Sequence, residues 1–267
     1  MAPTIQDVID RIMADIPAPR FPKTVDKFLS GDPTKPVTTV VTTFLATQRV
    51  IEQARDLGAN LIISHEGIYW VHAQPEEWLP GNPVMEAKQR VIDESEMTIW
   101  RFHDGWHMTK PDGIALGMVK KLGWDEYAKP GELMLTEMVT LPEPQSVGAL
   151  AEEIKGKLGL PTVKLIGDPE LSVRRVGVQV GFSGAYLHFP ILTGGEIDLL
   201  LCGEAHEWEA CEYVRDATYQ GRPIAMLSLG HAGSEDAGMW YLAEWLKEKM
   251  PELNAAHIPV EHLYSYL

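Results

Sequence analysis

The sequence has few cysteines, an excess of acidic over basic residues and no long apolar run. Cys202 and Cys211 are its two cysteines, too few and too oddly spaced for a disulfide framework or a thiolate zinc site. The 38 acidic and 23 basic residues give a formal net charge of -15, which disfavours binding to phosphate backbones or anionic lipid headgroups. No apolar run approaches the length of a membrane span. We therefore expect no direct nucleic acid binding and no membrane association.

The first residues predict an amphipathic helix, because Ile5, Val8, Ile9 and Ile12 recur at helical spacing with acids between them. This segment lacks the basic end and apolar centre of a signal peptide. Together with the small number of cysteines, it favours a reducing, cytoplasmic setting. Hydrophobic residues make up 45% of the 267 residues, enough to build a large core in one big domain or two modest ones.

Short β-branched runs alternate with helical patterns, which is typical of βαβ units around a mostly parallel sheet. The strand 37–47, the helix 48–59 and the strand 60–64 form one such unit. The polar stretch "DEYAKPGEL" predicts a boundary near residue 126. A second α/β cycle follows over 127–230, and we expect the segment 231–267 to complete the first lobe, 1–126.

Histidines and acids follow the predicted strands directly, where ligands bind in open α/β sheets. These residues are His65, Glu66, His103, His107, Glu204, His206, His231 and Glu235. Any single histidine in a loop is more often a surface or structural residue than a ligand. Their coincidence favours metal binding, since imidazole and carboxylate without thiolate suit Fe, Mn, Co, Ni or Zn. Five of these eight residues as ligands would already exceed the three protein ligands of one catalytic zinc ion, which points to two ions.

Four segments carry a resemblance to a known family over nearly the full length of the chain. They are "VIEQARDLGANLIISHEG", "FHDGWHMTKPDGIALGMVKKLG", "LLCGEAHEWEACEYVRDA" and "GHAGSEDAGMWYLAEWL". Together they resemble the Nif-three-like family, the type 2 GTP cyclohydrolase I-like dinuclear metal proteins. The resemblance implies a two-lobed α/β fold, each lobe a mixed sheet with flanking helices, and a metal site at the lobe interface. It also implies a homo-oligomer, either a dimer or a ring-shaped hexamer.

Carried over by position, the resemblance assigns His65, His103, His231 and Glu235 to family motif positions. Two positions differ, because Glu66 stands where the family has histidine and His107 stands where it has aspartate. The exchange keeps three histidines and two carboxylates, so we expect an occupied site for two divalent ions. The expected metal ligands are His65, Glu66, His107, His231 and Glu235, and the expected proton-transfer residues are His103 and Glu204.

The favoured function is metal-dependent hydrolysis of a nucleotide or pterin-like small molecule, in line with the family's name. Two alternatives stay open. The first is a metal-binding regulatory or protein-interaction protein without catalysis, and the second is a protein in which the metals only stabilise a ring-shaped assembly. No Walker-type phosphate loop is present. Five aromatic residues near the motifs either stack on a ring or pack at interfaces; they are Tyr69, Trp70, Trp106, Trp208 and Trp240. Three further histidines, His188, His257 and His262, are expected to be structural or surface residues.

Overall fold

A computed structural model describes residues 2–17, 23–70, 79–131 and 136–267. The chain forms two compact units. Unit 1 comprises Met1–Lys110 and Met239–Glu261, and unit 2 comprises Pro111–Gly238 and His262–Leu267. Among the described residues, no helix is both long enough and apolar enough to cross a membrane.

Unit 1 is built around a five-stranded mixed sheet in the order β1-β4-β3-β2-β11. The strands are β1 (Lys27–Ser30), β2 (Thr39–Thr43), β3 (Leu61–Ser64), β4 (Thr98–Arg101) and β11 (Asn254–His257). All neighbouring pairs are parallel except β1, which runs antiparallel to β4 at the sheet edge. Strands β2, β3 and β4 are buried along their whole length, as expected for a parallel sheet that is covered on both faces.

Several helices among the described residues belong wholly or partly to unit 1. They are α1 (Ile5–Ala14), α2 (Gln48–Asp56), α3 (Pro83–Ser95), α4 (Asp104–His107) and the later part of α9 (His231–Lys249). Thr4 and Thr47 accept hydrogen bonds from the first turns of α1 and α2, while Asn82 caps α3 ahead of a proline, an arrangement that favours helix initiation. The four apolar residues predicted for one face of α1 are all buried.

Unit 2 contains a six-stranded mixed sheet in the order β5-β6-β8-β9-β10-β7. Its strands are β5 (Ala128–Pro130), β6 (Thr136–Ser146), β7 (Lys164–Ile166), β8 (Ser172–Phe182), β9 (Leu199–Glu204) and β10 (Ala225–Ser228). Strands β8, β9 and β10 run parallel to one another, whereas β5, β6 and β7 pair antiparallel. The carboxyl ends of the three central strands therefore lie at one edge of this sheet.

Helices flank the sheet of unit 2. They are α5 (Gly113–Leu122), α6 (Val147–Leu158), α7 (Gly184–Thr193), α8 (Glu212–Tyr219) and the first turns of α9, with one π-helical turn at Glu207–Cys211. The units divide at 110/111, 238/239 and 261/262, whereas the sequence predicts boundaries near 126 and 231. Helix α5 lies in unit 2 because it packs against β6, β8 and α6. Two mixed sheets with flanking helices confirm the predicted α/β class.

Candidate metal centre

Three histidines of unit 1 converge at the carboxyl ends of β3 and β4. His65 follows β3, His103 directly precedes α4, and His107 is the last residue of α4. Each offers a ring nitrogen within 4.8 Å of those of the other two. The ring centroid of His65 lies 4.4 Å from that of His103 and 4.9 Å from that of His107, and the last two are 5.0 Å apart. This grouping is called the histidine cluster below.

The surroundings of His103 keep its imidazole neutral. Burial, together with the neighbouring His65 and His107, lowers the pKa of His103 to about 4 against the opposing effects of Glu66 and Asp104. A neutral imidazole keeps the lone pair that a metal ion requires. The donor set therefore fits a borderline divalent ion that prefers nitrogen ligands.

Asp26 fixes the backbone that carries two of the three histidines. One of its carboxylate oxygens accepts hydrogen bonds from the backbone N–H groups of His103 at 2.7 Å and Asp104 at 2.9 Å. The other accepts from the Gly105 N–H at 2.7 Å. Burial raises the pKa of Asp26, and these three donors oppose that effect. The carboxylate satisfies the N–H groups at the start of α4, which otherwise have no helical partner.

Asp104, which belongs to this loop, connects it to the segment that precedes Asp26. Its Oδ2 accepts from the Val25 N–H at 3.1 Å and from the Thr24 hydroxyl at 3.0 Å. Its Oδ1 lies 2.9 Å from Nδ1 of His103. A carboxylate at one ring nitrogen fixes the tautomer and leaves Nε2 as the donor atom toward the cluster.

Glu66 lies beside the histidine cluster and is paired with a buried arginine. Its Oε2 is 2.5 Å from Nη2 of Arg101, and its Oε1 is 3.8 Å from Nε2 of His103. Arg101 also donates through Nε to the backbone oxygen of His65 at 3.3 Å. The sequence reasoning missed Arg101, although an arginine inside the apolar strand "TIWRFH" already signals that a buried charge needs a partner.

A second group of predicted site residues lies in unit 2, where α9 begins. His231 presents Nδ1 to Oε2 of Glu204 at 3.0 Å and Nε2 to Oε2 of Glu235 at 3.1 Å. His231 and Glu235 share a helix face, as their spacing predicts. Glu204 is the last residue of β9, so the strand end orients the imidazole through its Nδ1.

Glycines let the first turn of α9 approach the ends of β8 and β9. A Cβ atom at Gly181 would lie 2.2 Å from Oε1 of Glu235, and one at Gly203 would lie 2.5 Å from Oγ of Ser234. The Gly181 N–H donates to Oγ of Ser234 at 2.9 Å. The carboxylate of Glu235 therefore packs directly against the backbone of Gly181.

Replacing Gly181 with alanine is therefore expected to displace the Glu235 carboxylate. Gly184→Ala is the matched control, because both glycines have positive φ, +69° and +64°, but nothing lies within 4 Å of a Cβ atom at Gly184. Each change should cost about 1–2 kcal/mol from the backbone, and Gly181→Ala should cost about 1–3 kcal/mol more from the clash. Urea unfolding of the two variants measures the difference. Equal losses would show that Glu235 does not pack against Gly181.

Each unit thus brings together predicted ligands and a predicted proton-transfer residue. His103 lies with His65 and His107 in the histidine cluster, and Glu204 lies with His231 and Glu235. His206, which also follows β9, instead pairs with Glu209. The sequence reasoning missed Asp26, since its partners lie 77 to 79 positions away and no local pattern announces them.

Comparisons with known proteins agree over nearly the whole chain. The sequence model of one family, described as Duf34/NIF3 (NGG1p interacting factor 3), matches residues 4–263. A Clostridium perfringens protein named GTP cyclohydrolase 1 type 2 homolog is 21% identical over 254 residues, 92% of each chain. A protein of the same name from Neisseria meningitidis serogroup B is 28% identical over 215 residues, 77% of each chain. The crystal structure of a Bacillus cereus protein related to NIF3 has a TM-score of 0.74 at 16% identity, covering 100% of this chain and 99% of that one. At this identity, the structural likeness shows the fold.

Proposed function

The chain belongs to the Duf34/NIF3 family, as its motifs predict, and on that premise we propose that it is a metal-dependent hydrolase acting on a nucleotide or pterin-like small molecule. The observation that carries this proposal is the histidine cluster, in which three imidazoles offer ring nitrogens within 4.8 Å of one another. Imidazoles grouped in this way are typical of divalent transition metal sites. The relatives named GTP cyclohydrolase 1 type 2 homolog support the substrate class.

We propose that the protein takes two divalent ions, with Fe, Zn, Mn, Co and Ni all compatible with the donors. The proposed ligands are His65, Glu66 and His107 in unit 1 and His231 and Glu235 in unit 2. Bound divalent ions would supply an activated water and offset negative charge that develops on the substrate. The salt bridge to Arg101 positions the Glu66 carboxylate beside the histidine cluster, with Oε1 3.8 Å from Nε2 of His103.

Two residues of the chain are proposed to move protons. Glu204 is half exposed and contacts Nδ1 of His231, so its carboxylate can exchange protons with solvent. His103 presents Nε2 toward the cluster while Asp104 holds its Nδ1. In its neutral form this ring carries a lone pair on Nε2 that can accept a proton.

A screen for hydrolysis tests the proposal. Protein loaded with divalent metal should hydrolyse at least one member of a panel of nucleotides and pterins, and chelation should abolish turnover. His65→Ala should lose activity, whereas His262→Ala should keep it, because His262 is exposed and bonds the Gly159 backbone oxygen. No metal-dependent turnover by protein shown to hold its ions would favour the regulatory or protein-interaction alternative.

The family resemblance also carries proposals about assembly and location. We propose a homo-oligomer, either a dimer or a hexamer, in the cytoplasm. Size-exclusion chromatography with light scattering tests the subunit number, and a monomer at all concentrations would contradict the oligomer.

A further inference from the structure

Two exposed aromatic side chains flank an imidazole in unit 2. Phe182 is the last residue of β8 and is 48% exposed, and Trp208, in the π-helical turn, is 76% exposed. The ring of His206 contacts Phe182 edge-on, with centroids 5.0 Å apart. The rings of His206 and Trp208 are nearly parallel, at 18°, with centroids 6.4 Å apart. These three rings are called the aromatic platform below.

The aromatic platform lies where a parallel sheet binds its ligands. Phe182 ends β8 and pairs in register with Glu204, the last residue of β9. Ligands of open α/β sheets bind beyond the carboxyl ends of parallel strands. Glu204 in turn contacts His231, so the platform adjoins the proposed ligands and proton-transfer residue of unit 2.

A carboxylate next to the aromatic platform offers a hydrogen-bond acceptor. Oε2 of Glu209 lies 2.8 Å from Nδ1 of His206 and accepts from the Ala185 N–H at 3.2 Å. No described residue donates to its other oxygen, Oε1. That oxygen is therefore available to an N–H group of a bound molecule, and a charged acceptor makes a strong hydrogen bond.

A buried histidine adds a second polar group near Glu209. His188, in α7, is 1% exposed, and in the described part of the chain neither ring nitrogen has a hydrogen-bonding partner. Burial lowers its pKa, and the charges of Glu209 and His206 also act on it, so His188 lies within electrostatic reach of both. Buried polar groups in native proteins are nearly always hydrogen-bonded. Among the described residues, His188 is thus a buried polar group that lies within electrostatic reach of Glu209 and makes no hydrogen bond.

We propose that the aromatic platform and Glu209 bind a planar nitrogen heterocycle that carries N–H donors, such as a purine or pterin ring. Stacking on the exposed indole would hold the ring, and the carboxylate would select rings with donors over rings without them. This inference rests on the proposed function and deepens it, since it names the part of the substrate that unit 2 recognises.

Calorimetric titration of the full chain with guanosine, in the presence of a chelator, tests the binding step without any turnover. Trp208→Leu keeps an apolar side chain but removes the ring, and it should weaken guanosine binding at least about tenfold, since stacking on one aromatic ring commonly contributes that much. Glu209→Gln should weaken it several-fold. Tyr219→Leu is the matched control, because Tyr219 is 92% exposed at the end of α8, and it should bind as the parent does. Ribose, which has no aromatic ring, should not bind.

Two results would overturn the inference. The first is a guanosine affinity that is the same in Trp208→Leu as in the parent. The second is the absence of guanosine and pterin binding by the parent at millimolar ligand. Either result, observed together with metal-dependent hydrolysis, would refute ring binding at the aromatic platform but not the proposed function. The opposite result is also possible to distinguish. Guanosine binding that depends on Trp208, without hydrolysis of any ring-bearing substrate, would support ring binding at the aromatic platform and refute the hydrolase function.

Discussion

Replacing His65 with alanine is expected to lower metal affinity more than about 100-fold, since even residues outside the ligand shell contribute about 10- to 100-fold. His65 is fully buried and lies against both other rings of the histidine cluster, so its loss removes a central donor. The variant should stay folded, because the apolar core of unit 1 is built from other residues and does not include His65. Titration against a chromophoric chelator measures the affinity, and circular dichroism measures the fold.

His257→Ala is the matched control for that change. Both imidazoles belong to unit 1 and both place Nδ1 near a backbone oxygen, that of Phe102 for His65 and that of Thr42 for His257. Only His65 lies in the histidine cluster. Equal metal affinities for the two variants would show that His65 is a structural histidine and not a ligand.

Replacing Asp26 with alanine is expected to lower metal affinity by about 10- to 100-fold through a residue that touches no ion. Its carboxylate accepts all three N–H groups that begin the loop of His103 and α4. Without it, those donors are left unsatisfied at a cost of at least about 2 kcal/mol, and His103 and His107 lose their fixed positions. Metal titration and urea unfolding on the same preparations measure both effects.

Asp32→Ala separates a positioning role from a general structural one. Asp32 is also in unit 1 and also accepts hydrogen bonds locally, from the N–H and hydroxyl of Thr34, but it contacts none of the clustered histidines. This variant should bind metal as the parent does. A loss of stability in Asp26→Ala without any loss of metal affinity would contradict the positioning role.

The regular elements could be predicted wherever burial imposes a period on the sequence. The βαβ unit through β3 and the amphipathic α1 are confirmed, since buried strands and helix faces show up directly as apolar patterns. Helix α7 was missed, because "GAYLHFPILT" is apolar all round and contains Gly184 and Pro190. Strand β1 was also missed, since it is a short, half-exposed edge strand.

The candidate site likewise contains residues that the sequence predicts and residues that it does not. Residues that follow strands could be chosen by rule, and that choice found His65, His103 and His107. The four-residue helix α4 is too short to show a helical period. Asp26 and Arg101 depend on pairing between distant parts of the chain, which a single sequence does not display. The local sequence pattern therefore identifies candidate metal ligands, whereas the groups that orient them can be identified only in the tertiary structure.

The most direct test of the central claim is elemental analysis of the protein purified without added metal, beside His65→Ala prepared in the same way. We expect about two transition metal ions per chain in the parent and a clear loss in the variant. Less than about one ion per chain in the parent, or equal contents in parent and variant, would contradict the proposed dinuclear site.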